Sequence, residues 1–429
     1  MQVTVSFSHA ADIGDGLILL PQRNLVTGSA DFAKVFGAPT SLEEDLLVLA
    51  SAVYAADLAH LRDTGIRFCR DFRLTVPVVN LQALERVKAD LQRLLYFLSY
   101  DNWDISFLQR GGVPEPSQEW PASVGKTLLF SGGLDSFAAA VDLIEAQETA
   151  VFVSHVTHNL TVQRSQQALY GHLRERYRDV PEHVAIRVGG RSRGSLAFPK
   201  DREESQRTRS FLFLVLAALV ARRSGHRRIV LIAENGQMAI HLPLSAGRIG
   251  GFSTHTAHPR FVREMQEFLS SVLGFDLSIS NPFLYQTKAK VIRGVVAEHS
   301  SAVPLAISCW RASRVRGGKD HCGVCIPCLV RRIAIEYNGL LLEEYDRDVL
   351  AEDIAALDED DLAKRNFVDL AEFISRFAAN RTADQLLTDY PELAEDSVDM
   401  NRAVKMYRRF AKEALTVLRR YDGARGLLR

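Results

Sequence analysis

Apolar and polar positions change rhythm twice along the chain. Val3, Val5 and Phe7 alternate with polar neighbours as a half-buried strand does, and residues 16–21 read as a second strand. Ser41 followed by Glu44 reads as a capping box opening a helix through Leu61. A strand-like segment at 72–79 then precedes a helix running to about Leu98, and the breaker-rich stretch GGVPEPSQ from Gly111 reads as a linker. These elements predict an N-terminal α+β region over residues 1–120. Beyond it, apolar segments at 127–130, 150–155, 184–188, 229–233 and 304–307 alternate with helical patterns at 135–148, 162–177 and 205–223. Such alternation predicts a parallel sheet covered on both faces, with ligands at the carboxyl ends of the strands, over residues 121–340. From about Leu341 the chain turns acidic and helical, with the run DEDD at 358–361 and a last amphipathic helix near 399–420. Residues 341–429 are therefore expected to form a C-terminal helical extension.

Composition narrows the class. The chain has 429 residues, 47% hydrophobic, enough for two to four units with ordinary cores and too apolar for a disordered chain. Its 52 basic and 52 acidic side chains cancel, which argues against a general polyanion binder. The balance is uneven, however: residues 126–340 carry 28 basic and 17 acidic groups, between two net-acidic flanks. A basic core suits phosphate chemistry, and an ordinary solvated surface can give the same count. The start lacks the basic and apolar regions of a signal peptide. The longest apolar run, from Phe211 to Ala221, is well short of the ~20 residues that cross a bilayer, so no membrane role is expected. Cys69 stands alone while Cys309, Cys322, Cys325 and Cys328 cluster, a pattern of metal binding in a reducing cytoplasm rather than of a secreted disulfide scaffold.

The sharpest chemical signal is the sequence KTLLFSGGLDS, from Lys126 to Ser136. A predicted strand runs straight into Ser131-Gly132-Gly133-Leu134-Asp135-Ser136, and a helix begins at once. Two adjacent glycines let the backbone approach a ligand and turn its N–H groups toward it, while the helix adds the positive end of its dipole. The site suits pyrophosphate, with hydroxyls from Ser131 and Ser136, and with Asp135 to hold Mg²⁺ or orient the loop. It is not a Walker A loop, since no Gly-Lys-Ser/Thr follows at that spacing. The second signal is C-x12-C-x2-C-x2-C, from Cys309 to Cys328, with Gly323 giving the turn of a knuckle. Four thiolates fit a closed, structural Zn²⁺ site. An iron–sulfur cluster could use similar spacing, though no neighbouring feature asks for redox chemistry. His321 is expected beside the ligands or facing solvent.

The phosphate loop resembles that of the PP-loop ATP pyrophosphatases. Joined to Ser308-Cys309-Trp310 and the C-G-x-C-x-x-C-x-x-R run ending at Arg331, it looks like the QueC family of 7-cyano-7-deazaguanine synthases, particularly long QatC-type members of antiviral gene clusters. The resemblance covers about residues 126–340. It implies a Rossmann-like sheet of PP-loop/HUP type. It also implies ATP with its phosphates on the loop and adenine near Val153 and His155, with His158 close by. Arg207 and Arg209 would face the phosphates, Glu234 and Asn235 would stand where the family reads its base, and Lys288 would hold a carboxylate or α-phosphate. By the same resemblance Ser131, Asp135, Arg207 and Lys288 are the catalytic candidates. The implied reaction adenylates a deazaguanine-type carboxylate and passes it to ammonia or a protein amine, with a partner protein from the same gene cluster, a homodimer being one expected assembly. The extra flanks depart from the family. So do Ser154-His155-Val156-Thr157-His158-Asn159 and the run from Gly251 to Pro259, which puts the purine contacts and the nitrile step in question. A nitrile-forming synthase, a tRNA-modifying PP-loop enzyme and a non-catalytic nucleotide-binding subunit are the other readings. No RNA-binding module stands out, so nucleic acid is not the expected partner.

Overall fold

The computed structural model describes residues 1–7, 16–62, 68–112, 125–157, 159–191, 198–225, 229–245, 255–312, 315, 319–342, 345–379 and 381–428. The chain is a mixed α/β protein built on two parallel sheets. The N-terminal sheet contains β1 (Gln2–Val5), β2 (Leu17–Leu19), β4 (Asp71–Val78) and β5 (Asn102–Gln109), in the order β2-β1-β4-β5 with every pairing parallel. Between them run the two-residue β3 (Leu25–Val26) and helices α1 (Ser29–Phe36), α2 (Ser41–Ala59) and α3 (Leu81–Ser99). The expected α+β region is thus an α/β layer: helical crossovers turn the chain back so that β4 and β5 add in parallel. Strand β5 was not expected, although Trp103, Ile105 and Phe107 alternate inward as its buried face requires.

The central sheet contains β6 (Lys126–Leu129), β7 (Ala150–Val156), β8 (Glu182–Arg187), β10 (Ile229–Leu231) and β11 (Ser278–Ser280), all parallel, in the order β11-β10-β6-β7-β8. The short β9 (Gly189–Gly190) pairs antiparallel with β3 and ties the two halves together. Four of the five expected strands form. The fifth does not: residues Ser300–Leu305 are a 3₁₀ turn containing Pro304, which has no N–H for a ladder, and β11 takes the edge instead.

Helices α4 (Leu134–Glu145), α5 (Leu160–Arg176), α6 (Arg209–Arg223), α7 (Gly236–Ile240), α8 (Pro259–Leu273), α9 (Lys288–Val291), α10 (Arg293–Glu298) and α11 (Ile326–Tyr337) complete this unit. Helix α6 lies on β6, β7 and β10 and also packs on α2, while α3 packs on both β5 and α8. One hydrophobic core therefore crosses residue 120 and joins the two sheets through a shared helix layer. Helix α2 is buried on nearly every side, as its apolar circumference demands. Its capping box uses Thr40 and Glu43, one residue earlier than Ser41 and Glu44: Ser41 is already the first helical residue, and extended Thr40 turns its hydroxyl to the Glu43 N–H.

Helices α12 (Leu362–Ala378), α13 (Ala383–Asp389), α14 (Met400–Leu418) and α15 (Asp422–Arg425) form the C-terminal region. They share a second core with the four clustered cysteines and α11, so no core boundary falls near residue 340. No described helix is long and apolar enough to cross a membrane. Most of the expected linker lies outside the described residues.

Candidate functional site

Strand β6 stands at the point where the central sheet reverses its order. Chain order runs from β6 to β7 and β8 on one side, then returns to β10 and β11 on the other. A crevice opens at such a switch point, beyond the carboxyl ends of the strands. Ser131–Gly133 leaves the end of β6 there, and Glu234 and Asn235 follow the end of neighbouring β10. Between them is a cavity of about 170 Å³, lined by Ser131, Gly133, Asp135, Ser136, Glu234, Asn235 and Lys288, and on its apolar side by Met238, Ile307, Trp310 and Val330.

The loop is held from within and from behind. Gly132 has φ of +88°, a conformation that side chains resist, and its carbonyl accepts from the Ser165 hydroxyl (2.7 Å) and the Ile307 N–H (2.9 Å). Ser131 and Ser136 share a hydroxyl contact of 3.1 Å, and the Gly133 N–H donates to Ser131 Oγ (3.3 Å). Gly133 is the N-cap of α4 and has no side chain to cap it. The first-turn N–H groups of α4 are thus left for an anion.

At the end of the loop, in the first turn of α4, Asp135 is buried among polar partners. Its carboxylate meets Lys288 Nζ at 2.9 Å and accepts from Asn235 Nδ2 at 2.8 Å, while Asn235 also donates to Glu234 Oε1 at 2.9 Å. Burial opposes ionisation of Asp135, but the Lys288 ammonium and the hydrogen bonds outweigh it and hold its carboxyl below the usual range. Glu234 behaves oppositely: burial and the neighbouring Asp135 charge push its carboxyl well above the usual range. Two carboxyl groups beside an uncapped helix N-terminus suit a divalent cation with an anionic ligand. Thr287 caps α9, and the Gln237 side-chain oxygen Oε1 accepts from the Lys288 N–H at 2.6 Å, which together set the turn that carries Lys288.

Other expected site residues lie elsewhere. Leu134 is core, and Val153 and His155 are buried beneath the N-terminal layer: Tyr54 of α2 meets the His155 ring edge-on at 5.3 Å, with Phe213 at 5.2 Å on another side. Arg209 lies over Phe213 (4.8 Å), and Arg207 is buried over Phe68 (4.6 Å) beside Tyr100, its pKa lowered to about 10 by burial and Arg62. Neither arginine lines the cavity. The physical reason is α2, whose Asp57 accepts from the Thr208 N–H and hydroxyl (2.9 Å each) and draws the start of α6 into the N-terminal layer. His158 lies outside the described residues. Ser165, Gln166, Gln237, Met238, Trp310 and Val330 were not foreseen; the adjacent polar pair Ser165-Gln166 on an otherwise packed helix face was the available signal for two of them.

The four cysteines converge as their spacing predicts. All four are buried, with Sγ atoms within 4.8 Å of one another, including Cys309–Cys325 at 3.9 Å and Cys322–Cys328 at 4.0 Å. Tetrahedral thiolate ligands ~2.3 Å from zinc would stand about 3.8 Å apart, so the donor set fits a metal ion. Gly323 turns the knuckle with φ of +76°, and an added Cβ would meet the Arg347 carbonyl at 1.9 Å. His321 is not solvent-facing: it is buried, accepts from the Ser308 N–H (3.2 Å), and burial lowers its pKa to about 3. It braces the strand of chain between Ile307, which holds the loop, and Cys309. Compared with known proteins, the chain matches no protein-family model and no curated protein.

Proposed function

We propose that this protein is an ATP-dependent carbon–nitrogen ligase of PP-loop type, on a Rossmann-like central sheet with a structural zinc knuckle. It adenylates a 7-carboxy-7-deazaguanine-type carboxylate, releases pyrophosphate, and forms an amide with ammonia or a protein amine as AMP departs. The observation that carries this reading is the SGGLDS loop, with Asp135 and an uncapped helix N-terminus, facing Glu234 and Lys288 in one cavity at the sheet's switch point. ATP phosphates would lie on the first-turn N–H groups of α4 and the hydroxyls of Ser131 and Ser136. Asp135 and Glu234 would hold Mg²⁺, which supplies neutralising charge for the leaving pyrophosphate. Lys288, which pairs with Asp135 and lines the same cavity, would orient the attacking carboxylate. The cysteines would hold Zn²⁺ and anchor the segment from Ile307 to Cys309 against the loop, without direct chemistry.

The resemblance further suggests a cytoplasmic role in anti-phage defence with a partner protein. Mass spectrometry after incubation with Mg-ATP, 7-carboxy-7-deazaguanine and ammonia tests the reading. AMP with an amide or nitrile product is expected; ATP binding with no AMP under any amine would replace it with a nucleotide-sensing role.

A further inference from the structure

A second cavity, about 40 Å³, adjoins the phosphate-loop cavity and shares Met238, Trp310 and Val330 with it. Its other walls are mostly apolar: residues 242–244 and Ile326 and, from the C-terminal region, Leu370 and Phe373 of α12 with Tyr407 and Phe410 of α14. Two polar side chains break this lining, Gln237 and His241. Gln237 lines the cavity and is 8% exposed, and its Nε2 has no hydrogen-bond partner among the described residues. Its orientation is not arbitrary, because the Lys288 N–H can only donate and so must meet the amide oxygen. The remaining end is therefore the NH₂, a buried donor that lacks an acceptor, which is costly unless a ligand supplies one. Trp310, on the shared wall, is 53% exposed despite its size.

Resting on the proposed ligase reading, we infer that this cavity is the ring site of the carboxylate substrate, and that the C-terminal helices are part of the active site. The occupant is a flat heteroaromatic ring carrying a carboxylate and a ring or carbonyl acceptor. Its inner edge enters between Val330 and Phe373, its acceptor takes the Gln237 NH₂, its outer face stacks under Trp310, and its carboxylate crosses the shared wall toward Lys288. A cavity of this size admits the edge of a ring and leaves the rest beneath Trp310, which explains an exposed tryptophan there.

The test is calorimetric titration of 7-carboxy-7-deazaguanine into the full-length, zinc-loaded protein without ATP, alongside tryptophan emission. Wild type is expected to bind with quenching, and the quench to vanish in Trp310→Phe. Gln237→Glu keeps an acceptor for the Lys288 N–H but sets a second acceptor against the ring, and is expected to weaken binding about tenfold. Leu370→Trp fills the cavity from α12 and should abolish binding, with melting temperature checking that each variant folds. No binding by wild type at millimolar probe, or equal binding by wild type, Gln237→Glu and Leu370→Trp, overturns the inference. If the variants turn the probe over like wild type, the ligase reading stands and the ring site falls. Binding with the expected variant pattern but no AMP leaves the ring site and removes the ligase reading.

Discussion

The Lys288 ammonium lies 2.9 Å from a carboxylate oxygen of Asp135, and both side chains are almost wholly buried. The start of α4 and the start of α9, far apart in the chain, are thus joined by one ion pair on the floor of the cavity. Removing one partner strands a buried charge, whereas removing both does not. Lys288→Met is expected to destabilise the protein by about 3 kcal/mol, and Lys288→Met with Asp135→Asn by less than the two single changes together. Urea unfolding of the four species measures the difference. Each single variant should also lose at least ~100-fold in AMP formation.

Glu413 of α14 reaches the same turn from the C-terminal side. It is buried and accepts from the Thr287 hydroxyl at 2.9 Å, and burial raises its pKa to about 7 against opposing pulls from Thr287, Arg409 and Arg293. The folded protein therefore keeps this proton to higher pH than the unfolded chain does. The contribution is full below about pH 4.5 and falls as pH rises to about 7, by roughly 3 kcal/mol. Glu413→Gln should flatten that part of the stability profile, read as unfolding free energy at pH 5 and pH 8. An unchanged slope would contradict this account.

At the phosphate loop, Gly132→Ala tests the backbone conformation. The positive φ costs an alanine about 1 kcal/mol, and its methyl would sit 3.1 Å from Gln166 Cγ. Binding of a fluorescent ATP analogue is expected to weaken about tenfold, with a melting shift of only a few degrees.

The cysteine cluster belongs to the same core as α11, α12 and α14. Purified under reducing conditions, the protein is expected to hold about one zinc per chain. Cys325→Ser or strong chelation should lower stability by several kcal/mol and open the C-terminal helices to protease first. Retention of full stability after complete metal removal would leave the cluster without a structural role.

Local signals were legible because they need only neighbouring residues. Ser131–Ser136 between strand and helix, the C-x12-C-x2-C-x2-C spacing and most of the central strands are set by short-range periodicity, glycine conformation and ligand spacing. The edge strand was misjudged at Pro304, where an apolar run met a residue that cannot donate to a ladder. Arg207 and Arg209 illustrate a different limit. Their place at the start of a buried helix suited the phosphates, yet Asp57 and Tyr54 of α2 compete for that helix start, and no local pattern ranks two partners.

By itself, then, the sequence determined most of the elements, the loop motif and the metal donor set, since each depends on interactions within a few turns of chain. Tertiary structure alone decided that the N-terminal sheet is parallel and shares a core with the central one. It also brought Asp135, Glu234 and Lys288 together at the switch point, and set α12 and α14 against the cavity beside them. Those outcomes follow from which apolar faces bury against which, a choice made between segments a hundred or more positions apart that periodicity along the chain does not encode.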